Sequence, residues 1–494
     1  MKRQHPAAMI GYTSKNFWLL LIPLIRGLIA YSFDFYRWID GAGWDILIVT
    51  LMFAIACLRW YTTFFAIKDN SVRIVSGWLF RRDIQIPLSQ ISAVTAEENP
   101  LYRKFGAVSL HIDTDAATQS KKYADIRLTV LQKDKARLFN LLSSKLSGSG
   151  EKMNYTYKVS KLSLIVFSLL FSSALSGVIL IVTTLSGGTK IAGEHLESRF
   201  LEIVTDLSDA VAQLMSRLIG SISPAGISIS IIIAAGFVLS FAINIIRHIN
   251  FTVTRRGKCI LISGGFVTKR TYCLNSERIN IADMRQNLLM KLFGITSVHV
   301  NCTGYGKRKN EFPVFVPICS IKNTNDGKSV KSLSAVMEML LPGFTFSESY
   351  INPAVKHIMR FILPPALLVF GILVLGMLMF LMHSNWHELI AFLTLMCEIP
   401  AVWLMFVKAC AYCTNGINIT QDSICAKYCT WYDFHTITVP LERVAEIRIK
   451  QNFFQKFNCS CDVIIFTNSE YIGGHKIKSM PIAEVQELIR ERFK

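Results

Sequence analysis

The stretch Gln286–Gly294, QNLLMKLFG, is one copy of an arrangement that occurs three times in this chain. In each copy an isoleucine or valine precedes an asparagine by eight residues and follows an aromatic residue by thirteen. A cation follows each asparagine by four residues. The asparagines are Asn99, Asn287 and Asn452, and the aromatic residues are Trp78, Phe266 and Trp431. Because so many spacings match in one register, the sequence predicts three copies of one module.

The composition indicates an integral membrane protein. Of the 494 residues, 51% are hydrophobic, and the mean hydropathy is +0.38. Six runs are long and apolar enough to be membrane helices, at 17–36, 44–64, 161–184, 226–246, 359–382 and 388–409. They form three pairs, and one module follows each pair. No small-residue cleavage pattern follows the first run, so we expect it to be retained.

The distribution of charge predicts the orientation. Lys and Arg collect in the modules and the N-terminal tail, whereas the first two loops within the pairs are acidic on balance. This bias predicts that the modules and both termini lie on the cytoplasmic side of the membrane. It also accounts for most of the net charge of +19, so the charge does not indicate nucleic-acid binding. The twelve cysteines are predicted to be free thiols without a metal ion.

These patterns predict an α+β membrane protein with six membrane helices in three hairpins. Each module is predicted as antiparallel strands closed by one C-terminal amphipathic helix. Gln286–Gly294 is predicted as a linker between two strands, with its leucines covering the core. The predicted segments are tail and hairpin 1 (1–60), module 1 (61–148), hairpin 2 (149–246), module 2 (247–345), hairpin 3 (346–412) and module 3 (413–494).

Hairpin 2 differs from the others because its external loop predicts an amphipathic helix at 193–220. Apolar residues recur there at steps of three and four, from Leu196 through Ile203 and Leu207 to Leu218. Two interpretations stay open. The helix packs along the outer surface of the membrane bundle, or it meets another subunit or an external partner.

The repeated stretch also carries a family resemblance. Asn99-Pro100-Leu101 and Asn287-Leu288-Leu289, each followed by a cation and a Phe-Gly pair, resemble a segment of the bacterial pleckstrin-homology (PH) membrane proteins. The three-copy form resembles the larger YdbS/YdbT-like members. The resemblance implies a PH-like antiparallel sandwich or barrel, a location in the plasma membrane of a bacterial cell and no catalytic activity. It also implies a smaller single-module relative as partner and a role in envelope stress or antimicrobial-peptide resistance.

Basic residues near hairpin turns are the predicted lipid contacts. In lipid-binding PH folds this region faces a phosphorylated headgroup, and cations beside a bilayer are attracted to anionic lipid. The candidates are Arg81, Arg82, Arg255, Arg256, Lys269 and Arg270. The alternative interpretation is a solvated basic face that only reflects the orientation bias.

Two charged residues lie within predicted membrane runs, Arg26 in the first and Glu398 in the sixth. Charges there are costly and are usually paired or functional. One interpretation is a salt bridge or a snorkelling arginine, and the other is a polar path for an ion or solute.

The predicted function is a non-enzymatic scaffold in the membrane. Its modules would bind protein partners, and anionic headgroups would assist. Self-association is an alternative to a different partner. No phosphate-binding loop, dinucleotide motif or zinc-protease helix occurs, so neither an enzyme nor a cofactor is predicted. The rival hypothesis is a transport or channel component that uses Arg26 and Glu398.

Overall fold

The computed structural model describes most of the chain. It covers residues 1–13, 21, 24–25, 27, 35–114, 126–146, 154–192, 195–216, 224–305, 314–321, 332–346, 349–353, 355–467 and 474–492. The first predicted membrane run, 17–36, lies largely outside the described residues, and so does Arg26. Neither prediction is tested there.

The first module has the predicted order of strands and one closing helix. Before it come β1 (Lys2–Arg3), α1 (Ala8–Tyr12) and α2 (Phe35–Tyr61). The module comprises β2 (Phe64–Ile67), β3 (Ser71–Ser76), β4 (Arg82–Pro87), β5 (Ile91–Glu98), α3 (Pro100–Lys104), β6 (Ala107–Thr114), β7 (Ile126–Leu131) and α4 (Gln132–Leu146).

The second module repeats this order after a group of helices. The preceding elements are β8 (Asn154–Lys158), α5 (Lys161–Leu170), α6 (Ala174–Ala192), α7 (His195–Ser216) and α8 (Pro224–His248). The module comprises β9 (Thr252–Arg256), β10 (Cys259–Gly264), β11 (Lys269–Asn275), β12 (Ile279–Gln286), α9 (Leu288–Leu292), β13 (Ile295–Cys302), β14 (Val314–Ser320) and α10 (Leu333–Leu340).

The third module follows two long helices, α11 (Ile358–Met382) and α12 (His387–Thr414). It comprises β15 (Gly416–Ile419), β16 (Ser423–Thr430), β17 (Asp433–Pro440), β18 (Val444–Lys450), α13 (Phe453–Phe457), β19 (Ser460–Thr467), β20 (His475–Pro481) and α14 (Ile482–Arg492). Each module thus contains an N-terminal group of three strands and a C-terminal group of three strands.

The sheets run across the predicted module boundaries. The described strands form four antiparallel sheets, ordered β1-β2-β3-β4, β7-β6-β5-β11-β10-β9-β8, β14-β13-β12-β17-β16-β15 and β18-β19-β20. The C-terminal strands of one module therefore continue into the N-terminal strands of the next. Strand β8 falls within the predicted hairpin 2 segment, but it lies at the edge of the second sheet.

The hydrophobic cores are shared in the same way. Cys259 and Cys273 of module 2 pack in the core of module 1, and Ala93 of module 1 packs in the core of module 2. Ile281 of module 2 packs in the core of module 3. Burial of apolar area at each boundary therefore stabilises neighbouring modules together. The three modules form one continuous array.

The stretch predicted as a linker is a short helix with a conserved layout in all three copies. Asn99, Asn287 and Asn452 are the N-cap residues of α3, α9 and α13. The Asn287 side chain accepts from the Met290 backbone N–H at 2.7 Å, which satisfies a donor that the first turn leaves free. The expectation that the leucines cover the core is wrong for Leu292, which is 79% exposed, whereas Met290 is fully buried.

Each short helix ends on a residue in the left-handed region, with φ of 64° at Gly106 and Gly294 and 49° at Cys459. Glycine adopts this conformation without the Cβ strain that cysteine carries. We expect Cys459→Gly to stabilise the protein by about 1 kcal/mol. Gly294→Ala should destabilise it by a similar amount, since its Cβ would meet nothing within 4 Å and only the backbone is strained. Thermal unfolding in detergent measures both. If both variants shift the melting temperature in the same direction, the explanation by backbone strain is contradicted.

The membrane helices agree with the prediction in part. Four helices are long and apolar enough to cross a membrane, Trp38–Tyr61, Pro224–His248, Ile358–Met382 and His387–Thr414. The predicted run at 161–184 is not one straight helix, because α5 and the following segment Ala174–Leu185 meet at an angle of 81°. Six straight spans are therefore not found among the described residues.

Packing and polar groups explain this break. Phe167 of α5 packs with Val314 and Ile318 of β14, so α5 lies against module 2. At the bend, the Asn244 amide of α8 donates to the Phe171 carbonyl at 3.4 Å. The Ser240 hydroxyl accepts from the Ser173 N–H at 3.3 Å. Neighbouring polar side chains thus satisfy the backbone groups that the break leaves free.

The predicted helix at 193–220 is observed as α7, and it packs against α8. The Ser228 hydroxyl of α8 donates to the Ser208 hydroxyl of α7 at 3.1 Å. Ser208 and Val204 are buried, whereas Ile203 and Leu207 of the predicted stripe are 65% and 49% exposed. The contact therefore uses a neighbouring face of the helix, and the stripe is left uncovered at Ile203 and Leu207.

Candidate functional site

Two junctions hold the array together, and their registers are equivalent. In the first junction β11 pairs with β5, and Arg270 lies opposite Glu97. In the second junction β17 pairs with β12, and His435 lies opposite Arg285. Arg270 and His435 occupy the same position of the repeat, and so do Glu97 and Arg285. Modules 2 and 3 therefore pair with the preceding module in the same strand register.

The first junction has an ion pair across it at one end. Arg270 Nη2 lies 3.2 Å from Glu97 Oε1, with side-chain exposures of 23% and 16%. Lys269 is opposite Glu98 in the ladder, and Lys135 of α4 lies 2.6 Å from the same Glu98 carboxylate. Opposite charges on facing strands stabilise the pairing and fix its register.

The second junction contains a buried polar network instead. Asp283 Oδ2 lies 2.6 Å from Arg285 Nε and 3.0 Å from His435 Nδ1. The His435 ring stacks on Tyr428 with centroids 4.9 Å apart, and the Tyr428 hydroxyl is hydrogen-bonded to His475 Nδ1 at 2.6 Å. The network therefore links four strands of two modules, β12, β16, β17 and β20.

The network holds its members in defined charge states. Burial alone would raise the pKa of Asp283, but the attraction of His435 and Arg285 outweighs burial and holds this pKa well below its usual range. Burial raises the pKa of Tyr428 well above its usual value. Burial also lowers the pKa of His475 to about 4 and that of His299 well below its usual value. At neutral pH, Asp283 is ionised while Tyr428, His475 and His299 are neutral.

These shifts predict acid sensitivity. The unfolded chain takes up protons on His475 and His299 near pH 6.5, whereas the folded chain keeps them neutral to about pH 4 or lower. The free energy of unfolding should therefore fall as pH decreases from about 6.5 to about 4. Melting temperatures across this range test it. His475→Gln should reduce the pH dependence, and the exposed control His383→Gln should leave it unchanged.

Two edge strands, β4 in module 1 and β18 in module 3, lack the junction partner that their equivalents have in the described part of the array. Among the described strands each pairs on one side only. Ile84 of β4 is 40% exposed, whereas its equivalents Tyr272 and Ile437 are 9% and 0% exposed. Glu446 of β18 is exposed, whereas its equivalents Ala93 and Ile281 are buried in junctions. The edges are thus uncovered versions of surfaces that the junctions bury.

The predicted lipid contacts fall in different environments. Arg81 and Arg82 are exposed at the open β4 edge. Lys269 and Arg270 are the equivalent pair, and they lie in the first junction. Arg255 Nε donates to the Gly257 carbonyl at 2.9 Å, and Arg256 is exposed at the end of β9. The ion pair gives Arg270 a structural role, and headgroup contact at these residues stays a prediction.

The intramembrane charges are described for one residue only. Glu398 lies within α12 and is 9% exposed. Its Oε1 has no hydrogen-bond partner among the described residues. Whether Glu398 pairs with Arg26 stays open, because Arg26 is outside those residues.

The sequence predictions missed the residues of the second junction. Asp283 and Arg285 alternate with apolar residues in β12, and His435 replaces the second cation of the basic pair. A charged alternation in an otherwise buried strand was the available signal, since buried charges need partners. The partner strand came from the next module, which the spacing of the repeat does not reveal.

Comparison with known proteins agrees with this architecture. The family model "Bacterial PH domain" matches residues 19–146, 206–322 and 361–492, which together make up more than half of the chain. The transmembrane protein YdbT of Bacillus subtilis (strain 168) is 23% identical over 330 residues, covering 63% of this chain. The match covers 64% of YdbT, less than two thirds of its length. The repeats, the apolar helices and the family match together show that this chain belongs to the bacterial PH domain family, as a multi-pass membrane protein.

Proposed function

We propose that the protein is a non-enzymatic membrane scaffold whose array is extended by a partner's PH-like module at the open edge of β4. The observation that carries this proposal is the equivalent register of the two junctions. In both, the strand equivalent to β4 pairs with the first C-terminal strand of another module. Strand β4 offers the same ladder groups, since it pairs only with β3 among the described strands. Such an edge is a template for strand addition.

Charge defines the partner strand. Arg81 and Arg82 are equivalent to Lys269 and Arg270, which face the Glu98–Glu97 pair in the first junction. A partner strand with two acidic residues at these positions would complement β4. We therefore expect the partner to be a PH-like module with an acidic edge, and the smaller single-module relative implied by the family resemblance fits this description.

Self-association through the two open edges is less favourable. With the register of the junctions, β18 of a second copy would place Lys450 opposite Arg82. Like charges directly opposite each other destabilise strand pairing. Charged edge strands also protect proteins from uncontrolled edge-to-edge association. These charges favour a different protein over a second copy.

Purification of the tagged full-length chain from its native membranes in mild detergent tests the proposal. The double variant Arg81→Glu/Arg82→Glu should lose the partner, whereas Lys450→Glu on the other edge should retain it. Reversing the acidic pair of the partner strand to lysine should restore binding to the double variant. Retention of the partner by the double variant, or equal loss from both variants, would contradict the proposal.

The transport hypothesis retains one supporting observation, the buried Glu398 whose Oε1 lacks a partner among the described residues. Polar groups within membrane helices often mark pathways. Under this hypothesis Glu398→Gln abolishes solute flux in liposomes and leaves the melting temperature unchanged. Unchanged flux would contradict the transport hypothesis. The envelope-stress role is carried by the family resemblance alone, and sensitivity of a deletion strain to antimicrobial peptides tests it.

A further inference from the structure

A cavity of about 800 Å³ lies where modules 2 and 3 meet the third helix pair. One wall is the second junction, with Asp283, Arg285 and His435. Another wall is β20, and a third is formed by α11 and α12. The volume is within the range of small-molecule sites, which is about 300–1,000 Å³. The proposed scaffold role leaves this cavity without a function.

The helix wall is apolar except for Lys408, and it belongs to helices that can cross a membrane. Pro364, Leu368 and Leu404 line it. Thr414 is the end of α12 that leads into module 3, and Leu404 lies about 15 Å from it along the helix. The Tyr432 hydroxyl donates to the Pro400 carbonyl at 3.0 Å, so module 3 reaches down the side of this helix. The cavity therefore lies at the boundary between the apolar helices and the modules.

Cations line two walls of the cavity. Lys408 is on α12, one turn beyond Leu404, and Lys476 and Lys478 are on β20. Lys476 lies 3.0 Å from Asp462, but that carboxylate also binds Arg360 at 2.8 Å. Among the described residues, neither Lys408 nor Lys478 lies within ion-pair distance of an acidic side chain. Positive charge is therefore in excess around these lysines.

The titration of Lys478 agrees with this excess. Burial lowers the pKa of Lys478, and the neighbouring charges of Lys408, Lys476 and Arg360 lower it further, whereas Asp462 only partly offsets them. The acidic residue of the junction wall, Asp283, is already engaged by Arg285 and His435. A bound anion would relieve the repulsion among the lysines.

We propose that this cavity binds an anionic phospholipid of the surrounding bilayer, with its phosphate against Lys408 and Lys478 and its chain against Leu368 and Leu404. A soluble anion would leave the apolar side chains of the helix wall in contact with water, and an apolar molecule would leave the lysines uncompensated. An amphiphile with a negative headgroup matches both the apolar side chains and the lysines. The site is separate from the β4 edge, so partner binding and lipid binding can fail independently.

Thermal unfolding of the full-length, delipidated protein in detergent tests this site. The probes are dihexanoyl-phosphatidylglycerol, dihexanoyl-phosphatidylcholine and inorganic phosphate. The phosphatidylglycerol should raise the melting temperature in a saturable way, and the other two should not. Lys408→Gln/Lys478→Gln should lower the apparent affinity for phosphatidylglycerol by about tenfold or more. The exposed Lys356→Gln outside the cavity lining is the matched control and should leave it unchanged.

Several outcomes would overturn the proposal. An equal effect of phosphate would assign the site to a soluble anion. An equal effect of phosphatidylcholine would show that binding does not depend on the negative charge of the headgroup. Unchanged affinity in the double variant would exclude the lysines. If that variant does not fold, quenching by brominated phosphatidylglycerol in nanodiscs replaces it. Trp431 lines the cavity, so Trp431→Phe should remove a quenched component, and its persistence would contradict the site.

Discussion

Asp283→Ala is expected to destabilise the protein by roughly 3–5 kcal/mol, because it removes the anion of a buried network and leaves the Arg285 guanidinium and the His435 ring without their carboxylate partner. Asp283 is 7% exposed and contacts both Arg285 and His435 within 3.0 Å. The loss should be concentrated at the second junction. Hydrogen exchange should therefore accelerate at the paired strands β12 and β17, while the ladder between β5 and β11 stays protected.

The controls separate the network from a general effect of charge removal. Asp422 lies in an exposed turn of module 3, and Asp422→Ala should change stability by no more than about 0.5 kcal/mol. In a double-mutant cycle, Asp283→Ala and His435→Ala should be non-additive, since the two side chains interact directly. Additive losses, or uniform acceleration of exchange in both junctions, would contradict the assigned role.

Gly177→Ala is expected to destabilise the packing of α6 on α8 by about 1–3 kcal/mol. A Cβ at Gly177 would lie 1.7 Å from the carbonyl oxygen of Gly236, which is a backbone atom and cannot rotate away. Close approach of small residues is a common source of helix association in membranes. The two helices must therefore separate to accept one methyl group. Loss of helicity during titration with sodium dodecyl sulfate measures the effect.

Gly371→Ala provides a matched control in another apolar helix. Nothing lies within 4 Å of a Cβ at Gly371, so the change should be neutral or stabilise α11 by up to about 1 kcal/mol through helix propensity. Gly236→Ala should resemble Gly177→Ala, because its Cβ would lie 2.7 Å from the Val178 backbone nitrogen. If Gly177→Ala and Gly236→Ala change stability as Gly371→Ala does, the close packing of α6 on α8 is contradicted.

The local structure of the modules is largely predictable from the sequence. The repeated asparagine and the glycine seven residues later identify a short helix with its N-cap and its left-handed end. Alternating β-branched residues predict the strands around it. Local interactions decide these features, so local spacing reveals them. The exposed Leu292 shows the limit, because an apolar residue on a helix of one turn does not by itself indicate which face is buried.

The pairing between modules is not predictable in this way. Strand β11 joins β5 across 170 residues or more, and nothing in the local pattern specifies which edge a strand covers. The basic pair Lys269–Arg270 illustrates the difficulty. Its charge alone predicts a lipid contact, whereas the structure places it against Glu98 and Glu97. Only the position of the acidic pair on another strand distinguishes the two roles.

The bent α5–α6 pair shows a similar limit in the membrane segments. The hydropathy of 161–184 predicts one span, but Phe167 packs on β14 and the chain turns by 81° before Ala174. Hydropathy measures the transfer of side chains from water and does not distinguish lipid from a protein core. Phe167 of α5 is buried against module 2 instead, whereas Leu162 and Leu169 stay exposed. Tertiary contacts therefore decide where the apolar segment leaves the modules.

Photo-cross-linking at the open β4 edge tests the central claim most directly. Gln85 is exposed, and its equivalents Cys273 and Thr438 are 3% and 0% exposed within the two junctions. A benzophenone amino acid at position 85, introduced in cells, should cross-link to the first C-terminal strand of a PH-like module in another protein. Mass spectrometry should place the cross-link beside two acidic residues. Cross-links to lipid alone, or to β18 of a second copy, would contradict the account.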